Sequence, residues 1–193
     1  MTSDNLTQAE GNYLVKLARA TLEEALGNGS PQRLAPPPTQ RLHAPGAAFV
    51  TLHTKSKTLR GCIGSLSPRR PLIEDVRSNT IAAAFEDPRF PPLTAQELPE
   101  ILVEVSVLTS PKPLAYESAE DLLTKLRPEI DGVVIEQGWH RATFLPQVWE
   151  QIPNPKEFLG HLCHKAGLLY DAWKETDLSV STYQVQKYEE PPM

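Results

Sequence analysis

Two cysteines, Cys62 and Cys163, are all that this chain of 193 residues contains. That scarcity rules out a disulfide framework, although one bridge between the two stays open. It also rules out a zinc or iron–sulfur centre built from cysteine alone, since such centres draw on about four ligands at defined spacing. No apolar run approaches the ~20 residues of a membrane span, and mean hydropathy is −0.34. The first residues, Met1-Thr2-Ser3-Asp4-Asn5, lack the basic and apolar regions of a secretion signal, so the expected location is cytoplasmic. A basic excess is missing too: the net charge is −5 and the isoelectric point near 5.6, which argues against a general nucleic-acid coat protein. No Gly-x-Gly-x-x-Gly fingerprint supports a dinucleotide fold. Nothing in the composition names a cofactor. The length suffices for one sizeable domain or two small ones sharing an interface, burying roughly 70% of the unfolded surface.

Against this background, the block Thr58-Leu59-Arg60-Gly61-Cys62-Ile63-Gly64-Ser65-Leu66-Ser67 stands out. It reads as a strand leaving a hairpin. Side chains alternate along a strand, so Leu59, Gly61 and Ile63 share one face while Arg60 and Cys62 share the other. A guanidinium beside a thiol favours thiolate, and the flanking glycines let a ligand or another backbone come close. A cysteine in a strand also packs as an ordinary small core residue, and glycines also mark bulges. Five of the ten arginines, Arg60, Arg69, Arg70, Arg77 and Arg89, fall between positions 60 and 89, a stretch with no lysine. Arginine suits bidentate recognition of carboxylate or phosphate, but Glu74, Asp75, Glu86 and Asp87 share the stretch and make ion pairs the competing use.

Elsewhere the pattern predicts alternating helices and hairpins. Thr7-Gln8-Ala9-Glu10 is a capping box opening a helix that Gly27-Asn28-Gly29 stops. Residues 31–45, with three successive prolines, read as an extended connector. Residues 47–53 and 59–64 form a hairpin, and Pro71 opens a helix running to about Phe85. The proline-rich 86–93 segment is a rigid loop carrying Asp87, Arg89 and Phe90. Thr94-Ala95-Gln96-Glu97 caps a short helix, and 101–107 alternates as a half-buried strand. A helix over 118–126, a hairpin over 133–144 turning at Gln137-Gly138, a helix opened by Asn154-Pro155, and a last strand over 178–188 complete the expectation. Hairpins dominate the neighbour relations, so the fold class is α+β with mostly antiparallel sheet and flanking helices.

His161-Leu162-Cys163-His164 has the residue types of a metal site, yet helical spacing turns Cys163 into the apolar stripe with Leu159 and Leu162. No metal site is assigned. A nucleophilic Cys62 needs a base, for which His53, His140, His161 and His164 are candidates; His53 ends the strand preceding the cysteine strand. Asp131-Gly132 reads as ordinary turn chemistry, and Trp149 and Trp173 as packing.

Taken together, Leu59-Arg60-Gly61-Cys62-Ile63-Gly64, Pro68-Arg69-Arg70-Pro71-Leu72, the 83–93 block Ala-Ala-Phe-Glu-Asp-Pro-Arg-Phe-Pro-Pro-Leu, Glu104-Val105-Ser106-Val107-Leu108, and Ala142-Thr143-Phe144-Leu145-Pro146-Gln147-Val148-Trp149 resemble the AmmeMemoRadiSam system protein A family, the AMMECR-type domain. The resemblance covers nearly the whole chain. It implies a single α+β domain, 1–193, of two interleaved subdomains, a larger and a smaller, facing each other across a cleft. It also implies a pathway shared with Memo-type and radical-SAM proteins. On these readings Cys62 acts as nucleophile, redox centre or acceptor of a modification. Arg60 favours its thiolate or binds an anionic substrate, and Gly61, Gly64, Asp87 and Arg89 contribute to substrate binding. The alternatives are a module that binds a nucleotide or nucleic acid while Cys62 merely packs, and a scaffold for the partner enzymes.

Overall fold

The structure, a computed structural model, describes residues 5–27, 34–175 and 178–191. Asn28 and Gly29, assigned to a helix stop, lie outside these residues, as do positions 31–33 of the connector. The chain divides into two compact units, one formed by 1–108 with 186–193 and the other by 109–185.

In the first unit, α1 (Gln8–Ala25) begins at the capping box, with both reciprocal bonds made between Thr7 and Glu10. The connector is not purely extended: a 3-10 turn at Gln40–His43 delivers Leu42, fully buried, to the core. The hairpin of β1 (Pro45–Thr54) and β2 (Leu59–Gly64) forms as the alternation requires, with Val50 opposite Ile63 and Thr51 opposite Cys62. A two-residue strand, β3 (Arg70–Pro71), leads into α2 (Leu72–Phe85). The capping pattern at Thr94 and Glu97 forms, but it opens a turn and a 3-10 segment, Leu98–Glu100, rather than an α-helix, because Pro99 and the start of β4 (Ile101–Leu108) follow at once.

The second unit holds β5 (Lys112–Pro113), α3 (Ala119–Lys125), the hairpin β6 (Gly132–Gln137) and β7 (His140–Phe144), α4 (Pro155–Lys165) and β8 (Ser179–Tyr183). The hairpin reverses one residue later than expected, at Gly138-Trp139, where Gly138 takes the left-handed conformation with φ of 58°. Its sheet runs β5-β8-β6-β7, and the recorded pairings are antiparallel. Trp149 stacks on Phe158 at 3.6 Å between ring centroids, and Cys163 lies fully buried beside them in the same core. Both cysteines are free thiols.

One expectation changes. The stretch read as a single last strand is two, because Gln184 breaks the ladder by exchanging bonds with Thr109. β8 belongs to the second sheet, whereas β9 (Val185–Glu189) joins the first beside β4 in the order β2-β1-β4-β9. The fold is α+β with antiparallel sheets. Among the described residues no helix is long and apolar enough to cross a membrane.

Candidate functional site

The sheet of the first unit has two unlike faces. Val50, Leu52, Val103 and Val105 pack with α1 and α2 in one apolar core. Gly61 shares that side: a Cβ there would collide with the carbonyl oxygen of Ala83 in α2, so helix and strand touch at backbone distance only because the residue is glycine. Period-two alternation then sends the intervening side chains the other way. Thr51 sits opposite Cys62 on one side and opposite Glu104 on the other, a polar row across three strands. Its hydroxyl donates to the Cys62 sulfur at 3.3 Å. In the same face His53 Nε2 lies 4.0 Å from Glu104 Oε2, while Glu104 Oε1 accepts from the Ser106 hydroxyl at 3.0 Å.

β2 is an edge strand, so the N–H and C=O of Cys62 face away from β1 and need partners. The 86–93 loop supplies both. Buried Asp87 accepts the Cys62 N–H at 2.8 Å, and Arg89 Nη2 donates to the Cys62 carbonyl at 3.2 Å. The two side chains are locked together by Arg89 Nε to Asp87 Oδ1 at 2.9 Å and Nη2 to Oδ2 at 2.7 Å. Hydrogen bonding from Arg89 is the main reason the Asp87 carboxyl sits far below the usual range; burial opposes it, and the Cys62 N–H adds to it. The Arg89 guanidinium is pushed up, first by its hydrogen bonds to Asp87, with burial opposing. Arg89 is therefore a cation held beside Cys62 through its main-chain carbonyl, and its side chain remains 54% exposed.

Arg60 has a different environment. The β1–β2 register shifts between Leu52 and His53, leaving Arg60 as the extra residue of a bulge. Strict alternation does not carry across a bulge, and the buried guanidinium turns to Glu97, with Nε to Oε1 at 2.8 Å and Nη2 to Oε2 at 3.3 Å. Glu97 is fixed in turn by the Thr94 hydroxyl and N–H, and its pKa falls to about 2, chiefly through the Arg60 hydrogen bond. Arg60 Nη1 is buried and has no hydrogen-bond partner among the described residues. The Phe90 ring lies within reach of both cations, 5.9 Å from Arg60 Cζ and 5.6 Å from Arg89 Cζ.

The space beside both glycines is already filled by protein, at Gly61 by the Ala83 carbonyl and at Gly64 by the Phe49 ring. Arg69 and Arg70 line a separate cavity of about 270 Å³ with Ser65, Ser67 and the buried Asp75. Thr51, Glu97 and Glu104 were not singled out by motif. Their signal was polarity inside apolar alternation, as in Val50-Thr51-Leu52 and Val103-Glu104-Val105, and for Glu97 the capping pattern. His140, His161, His164 and Cys163 belong to the second unit. Among the described residues no three or more His, Cys, Asp or Glu side chains gather as metal ligands.

Comparison with known proteins places this geometry. The model of the family described as AMMECR1 matches residues 15–188. A protein of Thermofilum pendens is 42% identical over 96% of this chain and 92% of its own length. One from Methanothermobacter thermautotrophicus is 41% identical over 96% of both chains. The crystal structure of the uncharacterised protein PH0010 from Pyrococcus horikoshii superposes with a TM-score of 0.72 at 36% identity, covering 93% of this chain and 91% of that one.

Proposed function

The chain belongs to the AMMECR1 family, and we propose that it is a cytoplasmic enzyme or enzyme-system component whose Cys62 is a reactive thiol serving small anionic electrophiles. The single observation that carries this reading is the company Cys62 keeps: a hydroxyl of Thr51 donating to its sulfur and the half-exposed guanidinium of Arg89 donating to its carbonyl. A donor and a cation both favour negative charge on sulfur or on a ligand approaching it. Asp87 holds Arg89 in place, and Arg60 with Glu97 stiffens the loop behind it. The pathway implied by the family resemblance, alongside Memo-type and radical-SAM proteins, is part of the same proposal and rests on the resemblance alone.

The test compares two alkylating reagents on the native full chain. In each case the Cys62 sulfur forms a bond to carbon, the carbon–iodine bond breaks and iodide leaves. Negatively charged iodoacetate gains more from Arg89 than neutral iodoacetamide, so Arg89→Gln lowers the iodoacetate-to-iodoacetamide rate ratio about three- to tenfold, as expected for a partly exposed charge. An unchanged ratio removes the anion preference; labelling of Cys62 only after denaturation removes the reactive thiol. The second reading, a nucleotide- or nucleic-acid-binding module, draws on the Arg69–Arg70 cavity. The buried carboxylate of Asp75 in its wall disfavours phosphate there.

A further inference from the structure

The Arg69–Arg70 cavity has every buried polar group of its wall partnered, since Asp75 accepts from Ser65, Asn79 and the Ala48 N–H. An open groove of about 670 Å³ along α1, lined by Val15, Arg19, Leu98 and Leu102, has its arginine tied to Glu190. In contrast, the imidazole of His53 in the polar sheet face has an unsatisfied nitrogen.

From this geometry we infer that His53, oriented by Glu104, is the proton acceptor for Cys62. The inference rests on the reactive-thiol reading and deepens it. Thr51 and His53 are two apart on a regular stretch of β1 paired with β4, so they share a face, and Cys62 is the direct cross-strand partner of Thr51. His53 is thus diagonal to Cys62 across the register shift between Leu52 and His53, a separation of about 7 Å or more between backbones that a bridging water spans. Glu104 faces His53 Nε2 at 4.0 Å with a side chain only 14% exposed. This favours the tautomer that carries its proton on Nε2 toward the carboxylate and leaves Nδ1 as a lone pair. Nδ1 is buried and has no hydrogen-bond partner among the described residues, an arrangement that costs stability unless the nitrogen has a further use.

The same order, carboxylate to imidazole to nucleophile, activates thiols and hydroxyls on unrelated folds. Here the thiol proton passes to Nδ1 through a bridging water, and the electron pair left on sulfur attacks the electrophile. The imidazolium so formed is balanced by Glu104 and returns its proton to the leaving group or to solvent. The other charged groups around His53 are accounted for. Lys187 of β9 lies 4.0 Å from Glu104, Arg60 of β2 is paired with Glu97, and Lys55 at the hairpin end is paired with Glu100 at 3.4 Å. Glu104 is accordingly a positioning residue, acting through the histidine.

The deciding measurement is the rate of Cys62 alkylation by neutral iodoacetamide between about pH 5 and pH 9, across the range in which histidine titrates. It is made on the native chain and on His53→Gln, His53→Asn and Glu104→Gln, with melting temperature recorded for each. In the parent the profile carries an inflection from histidine ionisation. Both His53 variants lose it and react at least about tenfold more slowly near neutrality, while Glu104→Gln displaces it. If Cys62 reacts but the folded His53 variants keep the parent profile, His53 is not the acceptor and the reactive thiol stands without it. If Cys62 does not react in the native parent, both readings fall together.

Discussion

Cys62 and Cys163 are the same side chain in opposite settings. Cys163 sits in α4 among Phe158, Leu159 and Trp149, where burial pushes its thiol up, opposed by a backbone hydrogen bond at Trp173 and reinforced by the charge of Asp171. Cys62 sits on an edge strand, with its main chain clamped by an aspartate and an arginine and its sulfur met by a threonine hydroxyl. Helical spacing alone assigns the first to a core. The second owes its setting to a neighbour: Gly61 lets α2 lie flat on one face of the strand, and alternation then turns Cys62 to the other. The setting of Cys62 is thus a matter of which side of the sheet a helix can dock on.

The largest expected effect on that contrast comes from Gly61→Ala. The added methyl meets the Ala83 backbone, which cannot swing aside, so helix and strand must part at a cost of about 3 kcal/mol, seen as a lowered midpoint in chemical denaturation. Gly64→Ala meets a movable Phe49 ring and costs less. The cysteines themselves come next. Cys163→Ala leaves a small void in a packed core and costs on the order of 1 kcal/mol, whereas Cys62→Ala on the half-buried face costs less than about half of that. Equal losses would erase the distinction between the two settings.

The smallest effect is with pH. Asp87 and Glu97 both have folded carboxyl pKa values below their ordinary ones, so the folded state resists protonation more than the unfolded chain does. Their contribution is complete above the ordinary carboxylate range near pH 4 and is lost as pH falls, for Glu97 through about 2. Because the Glu97 side chain is 38% exposed, solvent screens its share, and a modest flattening of the acid limb of the stability curve in Glu97→Gln is expected. A limb identical to the parent's would show that the Arg60 pair does not stiffen the loop.

Much of the fold was legible in the sequence because local chemistry and tertiary packing agree. The Thr7 capping box, Asn154-Pro155 at the start of α4 and the alternation in 47–53 and 101–107 all specify elements that form. The site was legible only in part. Period two places Arg60 and Cys62 on one face, but the bulge at Arg60 and its pairing with Glu97 leave no trace in composition. Asp87 and Arg89 were identified as rigid-loop residues, but only the register of an edge strand reveals that they cap the free main-chain groups of Cys62. The division of the 178–188 stretch into β8 and β9 was unreadable, since both halves alternate and only the exchange of bonds between Thr109 and Gln184 marks the break.

The placement of β9 has a consequence for biosynthesis. The first unit is closed by residues that emerge only after the whole second unit has been translated, among them Glu190, which receives Arg19 of α1 and the Val103 N–H of β4. Domains tend to fold in the order in which they leave the ribosome. In this chain the order inverts: the unit that begins first must wait, its β4 edge unpaired, while the inserted unit has everything it needs as soon as Val185 is made. The apolar core of the first unit, to which β9 contributes Tyr188, is therefore the last to be completed on the nascent chain.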